Sequence, residues 1–484
     1  MWLQTEMLAI ILSVLALVLT IRFRTKKPRN APPSPPKYPI FGNLLQLGIL
    51  PHRTLKSLAD TFGPIMLLQL GSVPTVVVSS SEAAKELFET HDLTFASRAE
   101  LAIGRLMLYN FKDLAFCKYS DHWRNMRTIF ATKLLSSKKV QSFRNVREEE
   151  ISRMISKIEA AGSTPVNLST LLTGFTNDVV CRVAFGIRYN KNGDGSNLTN
   201  LLDEFFCLVG AFNIADFIPW LAWLNHLNGF NSRVQRTFKE LDSIMDKILQ
   251  ERKHEAKKED KDFLDILLEV RSEEGLIDED CIKAMILDVF SAATETTKSV
   301  VEWTIIELLR HPEAMKRVKE EIREVIGDKL GTEEDIRRLT YTKAVIKEVM
   351  RVHAPAPMLL PRVCSQKVTL KGYEIAEKTR LLVNVWAIGM DPTVWDEPEL
   401  FRPERFIGST VDYLGNDFEF IPFGSGRRRC PGISFSAAVF ETALVNLLHK
   451  FDFVTADGKE PNLEEVSSLT VYPKFPLMVI ASPS

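Results

Sequence analysis

Residues 423–432 read FGSGRRRCPG, with three arginines running into Cys430. A thiolate is stable at neutral pH only where cations and amide donors face it. This run supplies both. Gly424 and Gly426 allow the positive φ of a tight loop, which can aim backbone N–H groups at one sulfur. Pro431 suits the first position of a helix, placing Cys430 at that helix's positive end. Phe423 can shield the sulfur from water. The product is a preformed anionic metal ligand, and Arg428 can reach a second anion beside it. A haem offers both partners, iron for the sulfur and propionates for the arginine. The plainer alternative is a basic loop around a buried thiol, and a bare R-R-R-C would favour it.

Three other stretches carry chemistry by spacing. KEVMR (347–351) holds Glu348 and Arg351 three apart, with PERF and its Arg405 downstream. On a helix such a pair is usually a surface ion pair. DHWRNMR (121–127) puts Trp123 and Arg127 one helical turn apart. SAATETTKS (291–299) sets Glu295 beside Thr296. A hydroxyl can hold a water there and a carboxylate can relay protons from solvent.

The order F-x-x-G-x-R-x-C-x-G resembles the haem-binding signature of the cytochrome P-450 enzymes, and the other three stretches resemble the same family. The resemblance implies haem b, held by Cys430 with Phe423, Gly426, Arg428 and Gly432 around it. It puts Trp123, Arg127 and Arg362 on the propionates, and makes Glu348, Arg351 and Arg405 a buried structural network. Glu295 and Thr296 match the catalytic acid–alcohol pair. Ala293 departs from the family's usual glycine and adds a methyl above the haem. The order of motifs, with phrases such as THDLTFASR and VWAIGMDP, is similar to the plant microsomal branch.

That resemblance implies a haem-thiolate monooxygenase acting on a small lipophilic substrate. Terpenoids, coumarin-like aromatics and alkaloids are all open, with the branch leaning to the first two. NADPH electrons would come from a separate NADPH–cytochrome P-450 reductase, since the chain has no Walker A or Rossmann fingerprint. Arg427, Arg429, Arg124, Lys138 and Lys139 could offer the reductase a basic face. Leu106, Leu108, Phe206, Phe290, Ala292, Ala293, Met358, Leu359 and Leu469 are the expected pocket wall. Two rivals stand beside this reading. One is a haem-thiolate isomerase or dehydratase independent of NADPH, and the other a non-catalytic haem-binding membrane protein.

The rest of the chain must position these groups. It has 484 residues, 45% hydrophobic and 25% charged, with net charge −1, so nothing global points to nucleic acid. Six scattered cysteines form no zinc spacing and no disulfide framework. Met7–Ile21 is almost wholly apolar. With Trp2 and Leu3 it is just long enough to span a bilayer, which takes about 20 residues. The five cations that follow place what comes next on the cytosolic side. The expected organisation is an anchor over 1–24, a basic and proline-rich hinge over 25–43, and one catalytic domain over 44–484. The expected location is the endoplasmic reticulum membrane, crossed once. The fold class is mainly α, a triangular helix-rich domain with a small β-sheet region. A hairpin is expected over 65–80, turning at Gly71–Pro74, and strand returns over 367–387.

Overall fold

The computed structural model describes Glu6 and residues 30–188, 195–253 and 260–484. The anchor reading of Met7–Ile21 falls outside them. Among the described residues no single helix is long and apolar enough to cross a membrane. The helices that matter for the site are α1 (Asp121–Ile129), α2 (Arg144–Ala161), α3 (Leu168–Phe185), α4 (Gly195–Gly210), α5 (Glu279–Arg310), α6 (Thr340–Val352) and α7 (Ile433–Lys450). The main sheet is built from β1 (Ile65–Leu70), β2 (Val73–Val78), β3 (Ser97–Arg98), β4 (Arg362–Val363) and β5 (Arg380–Val383), in the order β1-β2-β5-β4-β3. A hairpin of β6 (Glu465–Ser467) and β7 (Val471–Pro473) lies against α5.

Helix α5 is the spine. Its 32 residues contain neither glycine nor proline, so nothing interrupts the backbone ladder over about 48 Å. The Asp278 side chain caps it, accepting from the Cys281 amide at 2.8 Å. Buried side chains occur all round it, and α3, α6 and α7 pack on it. A helix apolar on every side belongs in the middle of a bundle. The N-termini of α1 and α3 are fixed in the same way, by Ser120 to the Trp123 amide and by Asn167 to the Thr170 amide.

The hairpin over 65–80 is present, with a tighter turn than expected. Gly71 and Ser72 make it, and Pro74 lies in β2 opposite Gln69. The strand expected to run through 367–387 is broken into three pieces and stops at Val383. Asn384 ends it by accepting from the Ala387 amide at 3.0 Å, which starts a short helix over Val385–Gly389. The proline-rich hinge is docked where it is described. Pro33 accepts from the Leu67 amide at 2.8 Å, and Asn43 donates to Pro36 at 3.0 Å.

Glu348 and Arg351 are both fully buried on α6 and face each other through two bonds of 2.7 and 2.8 Å. Arg351 also donates to the carbonyls of Gly389 and Pro398 at 2.7 and 2.8 Å. Arg405 Nε and the Arg402 amide reach the same Glu348 oxygen at 3.0 and 2.8 Å. One carboxylate thus serves two guanidiniums and an amide, and ties the irregular chain over 389–405 to the helix. Glu348→Gln keeps the shape but strands buried positive charge. It should cost about 3–5 kcal/mol of folding stability, read as a lowered midpoint in urea unfolding; an unchanged midpoint would show the network to be dispensable.

Candidate active site

The cysteine loop is a folded object in its own right. Gly424 and Gly426 have φ of +70° and +68°, the region glycine favours. At Gly426 there is also no room, because an added Cβ would come within 2.3 Å of the Asp92 carboxylate. Asp92 sits there to accept from the Arg427 amide at 3.1 Å and to face Arg362 at 3.4 Å. The Cys430 amide donates to the Phe423 carbonyl at 3.0 Å, closing the loop. The Phe423 ring packs on Tyr413 at 5.5 Å. The Gly432 amide donates to the Cys430 sulfur at 3.3 Å. Helix α7 starts two residues later than expected. Gly432 is its N-cap and Ile433 its first residue, so Pro431 and Cys430 precede the helix. Burial pushes the thiol up, and the Gly432 amide with the Arg127 and Arg429 guanidiniums acts against it. A free thiolate is therefore not favoured on its own, and a bound cation would complete the balance.

Beside the loop lies a concentration of buried positive charge. Arg428, Arg362 and Arg98 are 8%, 3% and 8% exposed. Arg428 donates to the carbonyls of Ala96, Leu114 and Cys117, and its guanidinium stacks over the Trp123 ring at 4.5 Å. Arg362 donates to the Ser425 carbonyl at 3.0 Å. Arg98 donates to Ala115 and Leu360 at 2.9 and 2.6 Å. Burial, and then the neighbouring guanidiniums, hold Arg98 well below the usual arginine range. Burial likewise lowers Arg362 to about 10, with Asp92 opposing. Trp123 Nε1 is buried with no partner. Three buried cations and an unanswered N–H form a receptor for anionic oxygens. Together with the sulfur they fit a haem, whose iron and propionates supply what both halves lack. Arg127 donates to the Arg429 carbonyl at 2.9 Å and lies within electrostatic reach of both Cys430 and Arg428.

Helix α5 carries the remaining expected site residues. Ala292 is exposed, and Ala293, Glu295 and Thr296 are half-buried, on a helix that is otherwise core. Thr296 Oγ1 donates to the Ala292 carbonyl at 2.5 Å. Glu295 faces Lys298 at 3.7 Å. The Ala293 methyl packs against the main core cluster.

The expected pocket wall is divided by the fold. Phe290 is 2% exposed and stacks on Phe185 at 5.4 Å, so it is a core residue, two positions and about 200° round the helix from Ala292. Leu108 is buried in the main core, whereas Leu106 is 39% exposed. Met358 packs into the cluster with Phe217 and Leu382. Leu359 adopts φ +50° and lies against Gly424 of the cysteine loop. Phe206 and Leu469 are brought into one region. Gly210, one turn after Phe206, meets the Ser468–Leu469 turn so closely that a Cβ would fall 2.4 Å from the Leu469 amide.

Sequence reasoning missed Arg98, Asp92 and Asp288. Asp288, on α5, accepts from the Leu114 and Ala115 amides at 2.6 and 3.3 Å and so holds the loop whose carbonyls bind Arg428 and Arg98. Burial and the nearby Asp113 push its carboxyl up. For Arg98 the signal was present in the quoted FASR, but no spacing tied it to Arg428.

A family model described as Cytochrome P450 matches residues 32–480. The chain belongs to the cytochrome P450 family. It is 44% identical to cytochrome P450 736A117 of Prunus mume, covering 99% of this chain and 95% of that one. It is 40% identical to a strychnine-11-hydroxylase of Strychnos nux-vomica, covering 97% and 95%. A solved zebra fish cytochrome P450 with abiraterone superposes with a TM-score of 0.79 at 27% identity, covering 90% of this chain and all of that one. The mainly helical P450 fold with small sheets is thereby established, and the chain is a P450 monooxygenase of plant specialised metabolism.

Arg98→Met removes one of the three guanidiniums. Haem should then leave the P450 about 10- to 100-fold faster, the worth of one charge-assisted bond of about 1.5–3 kcal/mol. Transfer to a haem-scavenging apoglobin measures it, and an unchanged rate would remove Arg98 from the receptor.

Proposed function

We propose that this P450 inserts one oxygen atom from O2 into a small lipophilic plant metabolite at the cytosolic face of the endoplasmic reticulum. NADPH electrons arrive through a separate reductase. The observation that carries this is the pairing of the buried arginine receptor with a sulfur held by the Gly432 amide. When bound, haem supplies the O2 activation and oxygen transfer.

The chain's own residues do the rest. Cys430 presents one sulfur, aimed by a loop that two glycines make possible. Arg98, Arg362, Arg428 and Trp123 fix the orientation of the bound group. Thr296 gives its hydrogen to the Ala292 carbonyl, leaving its oxygen lone pairs to accept from a water. Glu295, the next residue, can pass that water a proton. Phe206, Leu469, Ala292 and Ala293 form an apolar wall with few polar anchors, which suits a lipophilic substrate. Two relatives are named for alkaloids, norfluorocurarine and strychnine, so polycyclic alkaloids stand beside terpenoids and coumarin-like aromatics as compounds to screen.

Phe212, Trp220, Trp223 and Leu227 are each more than half exposed in the connection after α4. An apolar, tryptophan-rich loop of this kind suits a membrane interface and entry of substrate from the bilayer. On the cysteine side several cations proposed for reductase docking are already engaged. Arg427 pairs with Asp92 and Arg124 with Asp121. Arg427 and Arg124 are still about half exposed and available to a partner.

The decisive test is the difference spectrum of the reduced protein with and without CO. Wild type should show a strongly red-shifted Soret band that Cys430→Ala abolishes; a haem-replete protein lacking the band would defeat the thiolate assignment. With NADPH, reductase and an accepted substrate, Glu295→Gln and Thr296→Ala should lower product formation about 100-fold or more while NADPH is still consumed and peroxide accumulates. Full product yield from both variants would exclude the relay.

A further inference from the structure

The stripe of α5 that carries Glu295 continues with Lys298, Ser299 and Glu302, three, four and seven residues on. The β6–β7 hairpin covers it. Ser299 Oγ donates to the Val471 carbonyl at 3.0 Å, and the Lys298 ammonium lies 5.8 Å from the centre of the Tyr472 ring. Lys298 Nζ is 3.7 Å from a Glu295 oxygen and 4.0 Å from a Glu302 oxygen. The three side chains are 13%, 15% and 3% exposed, Lys298 first. From α3, the Ser169 hydroxyl donates to Glu302 and accepts from the Leu477 amide.

Two carboxyls therefore share one ammonium under a lid. With both ionised, the group would carry a surplus negative charge away from bulk water, which burial disfavours. Burial is the main influence raising Glu302, opposed by Lys298 and Ser169 and reinforced by Glu295. Tyr472 on β7 faces the same group. Burial, Cys207 on α4 and Glu295 keep it neutral by pushing its hydroxyl up. Glu302 is the more buried of the two carboxyls, and Lys298 is the charge between it and Glu295.

We propose that Lys298 is a positioning residue for proton supply, tethering Glu295 beneath the hairpin and linking it to the buried Glu302. This rests on the reading of Glu295 as the proton carrier. The tether restrains the carboxyl from turning toward Thr296, so it regulates how readily a proton is passed on.

The test is an infrared titration of the carboxyl bands in the resting holoprotein, with no turnover, on wild type, K298M and K298R. Without the ammonium a carboxyl holds its proton more tightly, so its deprotonation midpoint must rise. The Glu295 band, identified by its loss in E295Q, should titrate higher in K298M and return toward wild type in K298R. The pH profile for product formed per NADPH consumed should move the same way, with the CO band unchanged. An unmoved band and profile in K298M would overturn the proposal. If K298M does not fold, K298M/E302Q removes the ammonium and one carboxyl together. Its Glu295 midpoint must then lie above that of E302Q alone, and equal midpoints would overturn the tether. Undiminished product yield from E295Q would sink the carrier role while the infrared titration still reads the tether, so the two failures are separable.

Discussion

The Glu348–Arg351 pair is the constraint from which the geometry of the site follows. An ion pair buried this completely gives little net stability against an apolar replacement, because both charges lose their water. Its effect here is to order chain that has no ladder of its own. Between Gly389 and Arg405 there is no long helix or strand, yet carbonyls of Gly389, Pro398 and Leu400 are buried against α6 and need donors. One guanidinium answers all three. The close fit extends to Gly389 itself, where an added Cβ would lie 2.9 Å from the Arg351 carbonyl. The chain leaves this clamp at Arg405 and enters the segment that ends in the cysteine loop, where Ser425 binds the Gly415 carbonyl and Cys430 binds Phe423.

The second constraint is one of charge. Arg98, Arg362 and Arg428 come from β3, β4 and the cysteine loop, three parts of the chain that meet only in the folded state. Each is held by backbone carbonyls, whose dipoles offset only part of a buried charge. Asp92 and Asp113 are the acids within reach, and burial pushes Asp113 up to about 6, so its own negative charge is weakly held. The cluster is thus left deficient in negative charge, and a bound dianion would correct it. The sulfur is deficient in the opposite sense, since burial makes a lone thiolate costly. An iron-bearing dianion would satisfy both with one molecule.

What the sequence made legible was whatever the chemistry requires at fixed local spacing. The cysteine loop, Glu348 with Arg351, and Trp123 with Arg127 on α1 follow from turns and helices a few residues long. The hairpin turn and the end of β5 moved by only a few residues, because Pro74 tolerates a strand position and Asn384 caps a helix. Arg98 and Asp288 were not legible. Their partners lie more than 170 positions away in the cases of Leu360 and Leu114, and no periodicity connects them. Phe290 packs on Phe185, about 200° round the helix from Ala292 but only about 60° from Ala293, so the expected wall residues of α5 do not share one face.

The substitution of Ala293 for the usual glycine takes on a different meaning in this setting. Its methyl lies against the core cluster, so it adds packing contacts. Alanine also favours helix over glycine by about 1 kcal/mol. With no other glycine or proline in 32 residues, α5 is a stiff rail past the oxygen site. Thr296 bonds back to the Ala292 carbonyl, which occupies the hydrogen the hydroxyl could otherwise donate. On such a rail backbone movement contributes little to proton supply. The groups free to act are side chains at its surface, and the most constrained of these is the carboxyl that Lys298 holds.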